Sequence, residues 1–190
     1  MNPKSYKRIA VTNRNLCEID FLTRLQQIQD RKYDDYDLMI LREKDLSEEE
    51  YFDMSKKVLQ INPDCILHNF IDVAIRLKHN NIHLSMEMLR DNIEKLNENI
   101  SFIGASVHSL KEALEAEQLG VSYVIYGHIF PTDCKKGVKP RGLSTLEEIV
   151  KALTIPVYAI GGIDKVNINQ VLGVGVAGIC QMSLAMKGNV

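Results

Sequence analysis

Short apolar runs alternate with amphipathic segments of roughly ten residues along the whole chain, the order expected of repeated βα units around a parallel sheet. The runs are Arg8–Thr12, Asp37–Leu41, Cys65–His68, Ile82–Leu84, Phe102–Ala105, Tyr123–Tyr126, Val157–Ile160 and Gly178–Met182. Each is apolar along its length, as a strand covered on both faces should be. The segments between them carry helix signals. Over Ser47–Ile61, Ser47 and Glu50 form a capping-box pattern ahead of the apolar residues Phe52, Val58 and Leu59. Over Ser109–Leu119 the same pattern recurs with Ser109 and Glu112, and Gly120 stops the helix.

Eight such strands fit either an open doubly wound sheet or a closed barrel. Their even spacing, and the lack of a G-x-G-x-x-G turn after the first, favour a compact (β/α)8 TIM barrel formed by residues 1–190 as a single domain. Only Ser183–Val190 follows the last strand, so the last helix is expected to be short or missing. The apolar strip this leaves is covered either by a second subunit in a homodimer or by neighbouring helices.

With 190 residues, 45% of them hydrophobic, the chain has material for one core. Barrels of this kind typically run to about 250 residues, so loops should be short and the site should sit on the barrel itself. A net charge of −2, with no cluster of Lys and Arg, argues against a nucleic-acid partner. No apolar run approaches the roughly 20 residues of a membrane span, and residues 1–7 hold no apolar signal core, so a soluble cytoplasmic protein is expected. Cys17, Cys65, Cys134 and Cys180 are scattered, without a C-x-x-C pair, and are expected to be reduced. Cys65 and Cys180 fall in buried strands, whereas Cys134 lies in a polar loop.

That loop, Tyr126 to Leu143, follows the sixth strand and is dense in groups able to do chemistry: His128, Thr132, Asp133, Cys134, Lys135, Lys136 and Arg141. It reads as a clamp over an anion or as a solvated basic loop, and its place after a barrel strand favours the first. Gly161 and Gly162 follow the seventh strand, where glycines let a phosphate approach main-chain N–H groups. Met182 and Ser183 close the eighth strand, completing the order of a barrel phosphate site. Arg42 and Lys44 end the second strand as cations for a carboxylate or phosphate, with ion pairing inside Arg42-Glu43-Lys44 as the plainer reading. Asn69, His83 to Ser85, and Ser106 with His108 add polar groups at strand ends, while His68 and His79 read as structural.

In order along nearly the whole chain, I-L-R-E-K-D-L at 40–46, H-N at 68–69, I-H-L at 82–84, I-G-A-S-V-H-S at 103–109, the Tyr126–Leu143 loop, A-I-G-G-I at 159–163 and the terminal G-x-x-x-M-S resemble the thiamine phosphate synthase/TenI family. The resemblance implies a synthase that joins a pyrimidine diphosphate to a thiazole phosphate with magnesium held by aspartates. One of those aspartates directly follows the strand-three Asn, where this chain has Phe70; near the second position, H-L-S-M-E-M offers only Glu87.

The loop sequence Gly127-His128-Ile129-Phe130, in place of the synthases' G-P-I-F, together with T-D-C-K-K-G and R-G, is similar to the TenI branch, the thiazole tautomerases. That likeness implies a metal-independent isomerase with no cofactor. It would aromatise a carboxylated thiazole phosphate in thiamine biosynthesis, with His128 moving the proton. By the same match, phosphate falls to Gly161, Gly162, Met182 and Ser183, and ligand lining to Thr132, Asp133, Cys134 and Lys135. Arg42, Lys44, Asn69 and Ser106 occupy the synthases' pyrimidine-diphosphate positions. The alternatives are the magnesium-dependent synthase itself and a non-catalytic TenI-type regulatory or ligand-binding barrel.

Overall fold

The computed structural model describes residues 6–32, 35–132, 135 and 137–188. Eight parallel strands, β1 (Lys7–Val11), β2 (Leu38–Leu41), β3 (Ile66–His68), β4 (Asn81–Ser85), β5 (Phe102–Val107), β6 (Tyr123–Gly127), β7 (Val157–Ile160) and β8 (Gly178–Gln181), close in sequence order into a barrel. The helices are α1 (Phe21–Gln29), α2 (Glu48–Ile61), α3 (Ile71–Arg76), α4 (Met86–Asn99), α5 (Leu110–Gln118), α6 (Gly142–Ala152), α7 (Ile168–Gly173) and α8 (Ser183–Lys187). Every run expected from the sequence is a strand, with ends displaced by no more than a few residues, which is the ordinary uncertainty of strand ends.

The chain divides into two compact units, one built on Leu84–Ile93 and Ile103–Cys180 and the other on Arg8–His83, Glu94–Phe102 and the segment from Gln181 onward. In the first, Gly104 pairs laterally with Tyr123 and Tyr158 with Gly178. The Tyr123 and Tyr158 rings meet edge to face at 5.6 Å. Gly104 leaves the space that Tyr123 fills, since a β-carbon there would lie 2.1 Å from the ring. In the second, Ile9 pairs with Leu38, Ile40 with Ile66, and His68 with His83. Paired residues share a sheet face, so His68 and His83 point the same way.

Helix α2 begins as its sequence dictates. Ser47 Oγ accepts the Glu50 N–H, and the Glu50 carboxylate accepts the Ser47 N–H at 2.8 Å, while Glu48, Glu49 and Glu50 face the positive end of the helix. The buried ring of α2 is Tyr51 rather than Phe52. Its hydroxyl donates to Leu41 O at 2.6 Å and accepts from His68 N at 2.8 Å, tying the helix to β2 and β3. Phe52 stays half-buried under the Arg76 guanidinium, 4.1 Å from its ring. Ser47→Ala is expected to cost about 1 kcal/mol, read as a lower urea midpoint with an unchanged slope. At α5, Ser109 caps the Glu112 N–H, but the Glu112 carboxylate accepts from His108 N at 2.7 Å, one residue earlier than a standard box.

The last helix, α8, is a five-residue segment. Its Ala185 and Met186 are fully buried by the same chain: Arg24 of α1 donates to Ala185 O at 2.8 Å, and Cys17 Sγ lies 3.8 Å from Met186 Sδ. Neighbouring segments therefore cover this part of the strip, while Leu184 remains 43% exposed. No helix among the described residues is long and apolar enough to cross a membrane.

Candidate active site

In the unit that holds β5 to β8, the loop after β6 is pinned at its base by Arg141. Its Nε donates to Gly127 O at 2.9 Å, its Nη1 to His108 O at 2.7 Å and its backbone N to His128 O at 3.0 Å. His108 Nδ1 also meets Gly127 O at 3.1 Å. His128 is buried, with Nε2 3.2 Å from Val138 O, and a carbonyl there requires the proton on Nε2. The loop then runs onto β7: Ile129 N donates to Ile160 O and Phe130 N to Gly161 O, each at 3.0 Å.

The two glycines after β7 are shaped by this crossing. Gly161 has φ +103 and Gly162 φ +65, the region that favours glycine. A β-carbon on Gly161 would sit 2.3 Å from His128 Cβ, and one on Gly162 would sit 2.5 Å from Pro131 O. The loop and the glycine turn, read in the sequence as two separate sites, are one packed unit. Their requirement for glycine comes from the protein's own backbone as well as from any ligand. Thr132 is half-buried and Lys135 exposed here; Asp133 and Cys134 lie outside the described residues. Ser106 is half-buried on β5.

In the other unit, Arg42 and Asn69 are half-buried and Lys44 exposed. Glu43, between the two cations, takes part in a longer-range arrangement. Glu43, 2% exposed, accepts from Thr12 Oγ1 at 2.6 Å and from the Arg14 backbone and guanidinium at 3.0 Å. Local sequence reading missed Thr12 and Arg14 because they lie about thirty residues upstream and are adjacent only through the β1–β2 pairing.

His68 and His83 stack with ring centroids 5.9 Å apart. Burial pushes His83 down to about 3, and nearby Lys44 adds to the effect. Burial first, then His83, Lys44 and Arg42, also hold His68 well below the usual imidazole range. Lys44 is therefore close enough to be felt at His68 on β3 and His83 on β4. Phe70 is the residue preceding α3, and its ring stacks on Tyr51 at 4.1 Å. Met182 and Ser183, both half-buried, open α8.

Comparison with known proteins matches residues 9–185 to the family model described as thiamine monophosphate synthase. A thiamine-phosphate synthase of Pyrococcus abyssi is 38% identical over 150 residues, 77% of this chain and 72% of the relative. One of Clostridium novyi is 32% identical over 191 aligned positions, 97% and 93% of the two chains. Among solved structures, thiamine phosphate pyrophosphorylase from Pyrococcus furiosus superposes with a TM-score of 0.78 at 30% identity, covering 96% of this chain and 88% of that one.

These relatives overturn the expectation of a thiazole tautomerase, and with it the expected metal-independent isomerase. That expectation weighted the His128 loop above the rest of the chain. In the structure His128 packs its Cα and Cβ against Gly161, and its ring Nε2 lies 3.2 Å from Val138 O. The likeness to proteins named as synthases runs along nearly the entire length, and on that ground the chain belongs to the thiamine monophosphate synthase family.

Proposed function

We propose that this protein is a transferase of the thiamine-phosphate synthase type, joining a pyrimidine diphosphate to a thiazole phosphate with release of the diphosphate. The observation that carries the reading is the alignment to the Clostridium novyi synthase across 97% of this chain. Both substrates are polyanions, so the site must supply cations and N–H donors. Arg42 and Lys44 offer the cations beyond β2. Within the unit of β5 to β8, the main chain of Gly161 and Gly162 is a separate candidate that offers N–H donors to a phosphate, and Thr132 and Lys135 belong to the loop packed on those glycines. Asn69, Ser106 and Ser183 add neutral hydrogen-bonding groups at strand ends, with Met182 preceding Ser183. His128 orders the loop beside the glycines in this reading.

At the two positions where the family resemblance places magnesium ligands, the described residues do not fit the ion. Phe70 offers no oxygen and is committed to the Tyr51 ring, and Glu87 is an exposed carboxylate in the first turn of α4. Among the described residues no three His, Cys, Asp or Glu side chains gather as a metal site.

Incubating the purified protein with both substrates, with and without magnesium, is expected to yield thiamine phosphate. Arg42→Ala should lower kcat/KM about thirtyfold, the roughly 2 kcal/mol of a hydrogen bond to a charged group. Absence of product under both conditions rejects the transferase. Phe70 favours one other reading, a barrel that binds a phosphorylated ligand without turnover, and phosphate binding with no product selects it.

A further inference from the structure

We infer that Glu43 is a positioning residue that sets Arg42 and Lys44 for an anionic ligand; this rests on the reading of those two cations as ligands of the diphosphate. Within Arg42-Glu43-Lys44-Asp45 the two acids are both taken by one residue of the loop after β1. Arg14 binds Glu43 Oε2 at 3.0 Å through Nη1 and grips Asp45 with both terminal nitrogens, at 2.7 and 2.6 Å. The segment is thus stapled at every second position, with Arg42 and Lys44 at the intervening ones.

Glu43 is the buried half of the staple, its side chain only 1% exposed. One oxygen takes the Thr12 hydroxyl at 2.6 Å, and both lie within 3.1 Å of the Arg14 N–H. With its proton committed to Glu43, the Thr12 oxygen accepts the Arg42 N–H at 2.8 Å. The direction of this chain, Arg42 N–H to Thr12 to Glu43, depends on a carboxylate that only accepts. A glutamine would turn an NH2 group toward an N–H donor or toward the guanidinium, in a spot where Thr12 has no solvent access. Holding two loops together does not demand ionised groups, since packed apolar residues do that as well or better. What the ionised staple adds is orientation: through Thr12 it fixes the Arg42 backbone on one side of Glu43, and on the other side follows Lys44, whose charge is felt at buried His68 and His83.

The test is titration of the full chain with inorganic pyrophosphate in a calorimeter. Glu43→Gln and Thr12→Val should each weaken binding at least tenfold while keeping the wild-type circular dichroism and a cooperative urea transition. Glu43→Asp should recover part of the loss. The salt dependence of binding should keep its wild-type slope in Glu43→Gln, where both cations remain, and become shallower in Arg42→Ala. If Glu43→Gln does not fold, Thr12→Val decides the matter. Binding within twofold of wild type in the folded variants, or no pyrophosphate binding by the wild type, overturns the inference. Glu43-dependent binding without thiamine phosphate formation upholds it while rejecting the transferase reading.

Discussion

Lowering the pH from 7 to 5 is expected to reduce the unfolding free energy by about 2 kcal/mol through His83 alone, with His68, held low in the same way, adding its own share. Its ring is 2% exposed and stacked on His68, and burial holds it neutral down to about 3, where an imidazole in the unfolded chain takes its proton near 6.5. Between those two values the unfolded state binds more protons than the native state. Stability is therefore complete above about pH 6.5 and is lost as the pH falls through the window, at about 1.4 kcal/mol per pH unit for each such group.

The groups facing the pair push in the same direction: Lys44 on His83, and Lys44 and Arg42 on His68, all disfavour an imidazolium. The carboxylates held low by hydrogen bonds, Asp45 by Arg14 and Glu50 by Ser47, start from ordinary values of 3.8 and 4.5 and titrate below pH 5, so they contribute little to this drop. Urea unfolding at pH 7 and pH 5 measures it. In His83→Asn the difference between the two pH values should shrink to the share of His68. An equal drop in wild type and variant would assign the effect to some other group.

Features that depend on local chemistry were legible in the sequence. Eight apolar runs sufficient to be buried on both faces give the barrel strands, and Ser47 with Glu50 gives the start of α2. The cover of the five-residue α8 was not legible, because Arg24 reaches Ala185 across 161 residues of sequence. The site followed the same rule. Gly161 and Gly162 stand out in the sequence as positions needing glycine, but the loop backbone that demands it is thirty residues away. Glu43 between two cations reads as a local ion pair, whereas the barrel offers it Thr12 and Arg14. Family membership was legible because motifs on seven strands agree. The activity was not, because the tautomerase reading leaned on His128 and a few loop neighbours.

Gly161→Ala is expected to cost about 3 kcal/mol or more, lowering the thermal midpoint by roughly 10 °C in a chain of this size. Two terms add. The backbone at φ +103 strains any residue with a β-carbon, and that β-carbon would stand 2.3 Å from His128 Cβ and 2.6 Å from His128 Cα, far inside contact distance. His128 cannot simply withdraw. Its carbonyl is held by Arg141 N at 3.0 Å, and the residues after it are laddered to β7 by Ile129 N to Ile160 O and Phe130 N to Gly161 O. Relief requires peeling the loop from β7, which should also abolish phosphate binding there. Gly175→Ala separates the two terms, because Gly175 has φ +93 but its nearest neighbour to a new β-carbon is Val150 Cγ1 at 3.6 Å, so only the strain applies. Thermal unfolding of the two variants side by side should place Gly161→Ala clearly below Gly175→Ala. Equal midpoints would mean that the loop yields without cost and that close packing against His128 does not account for the glycine.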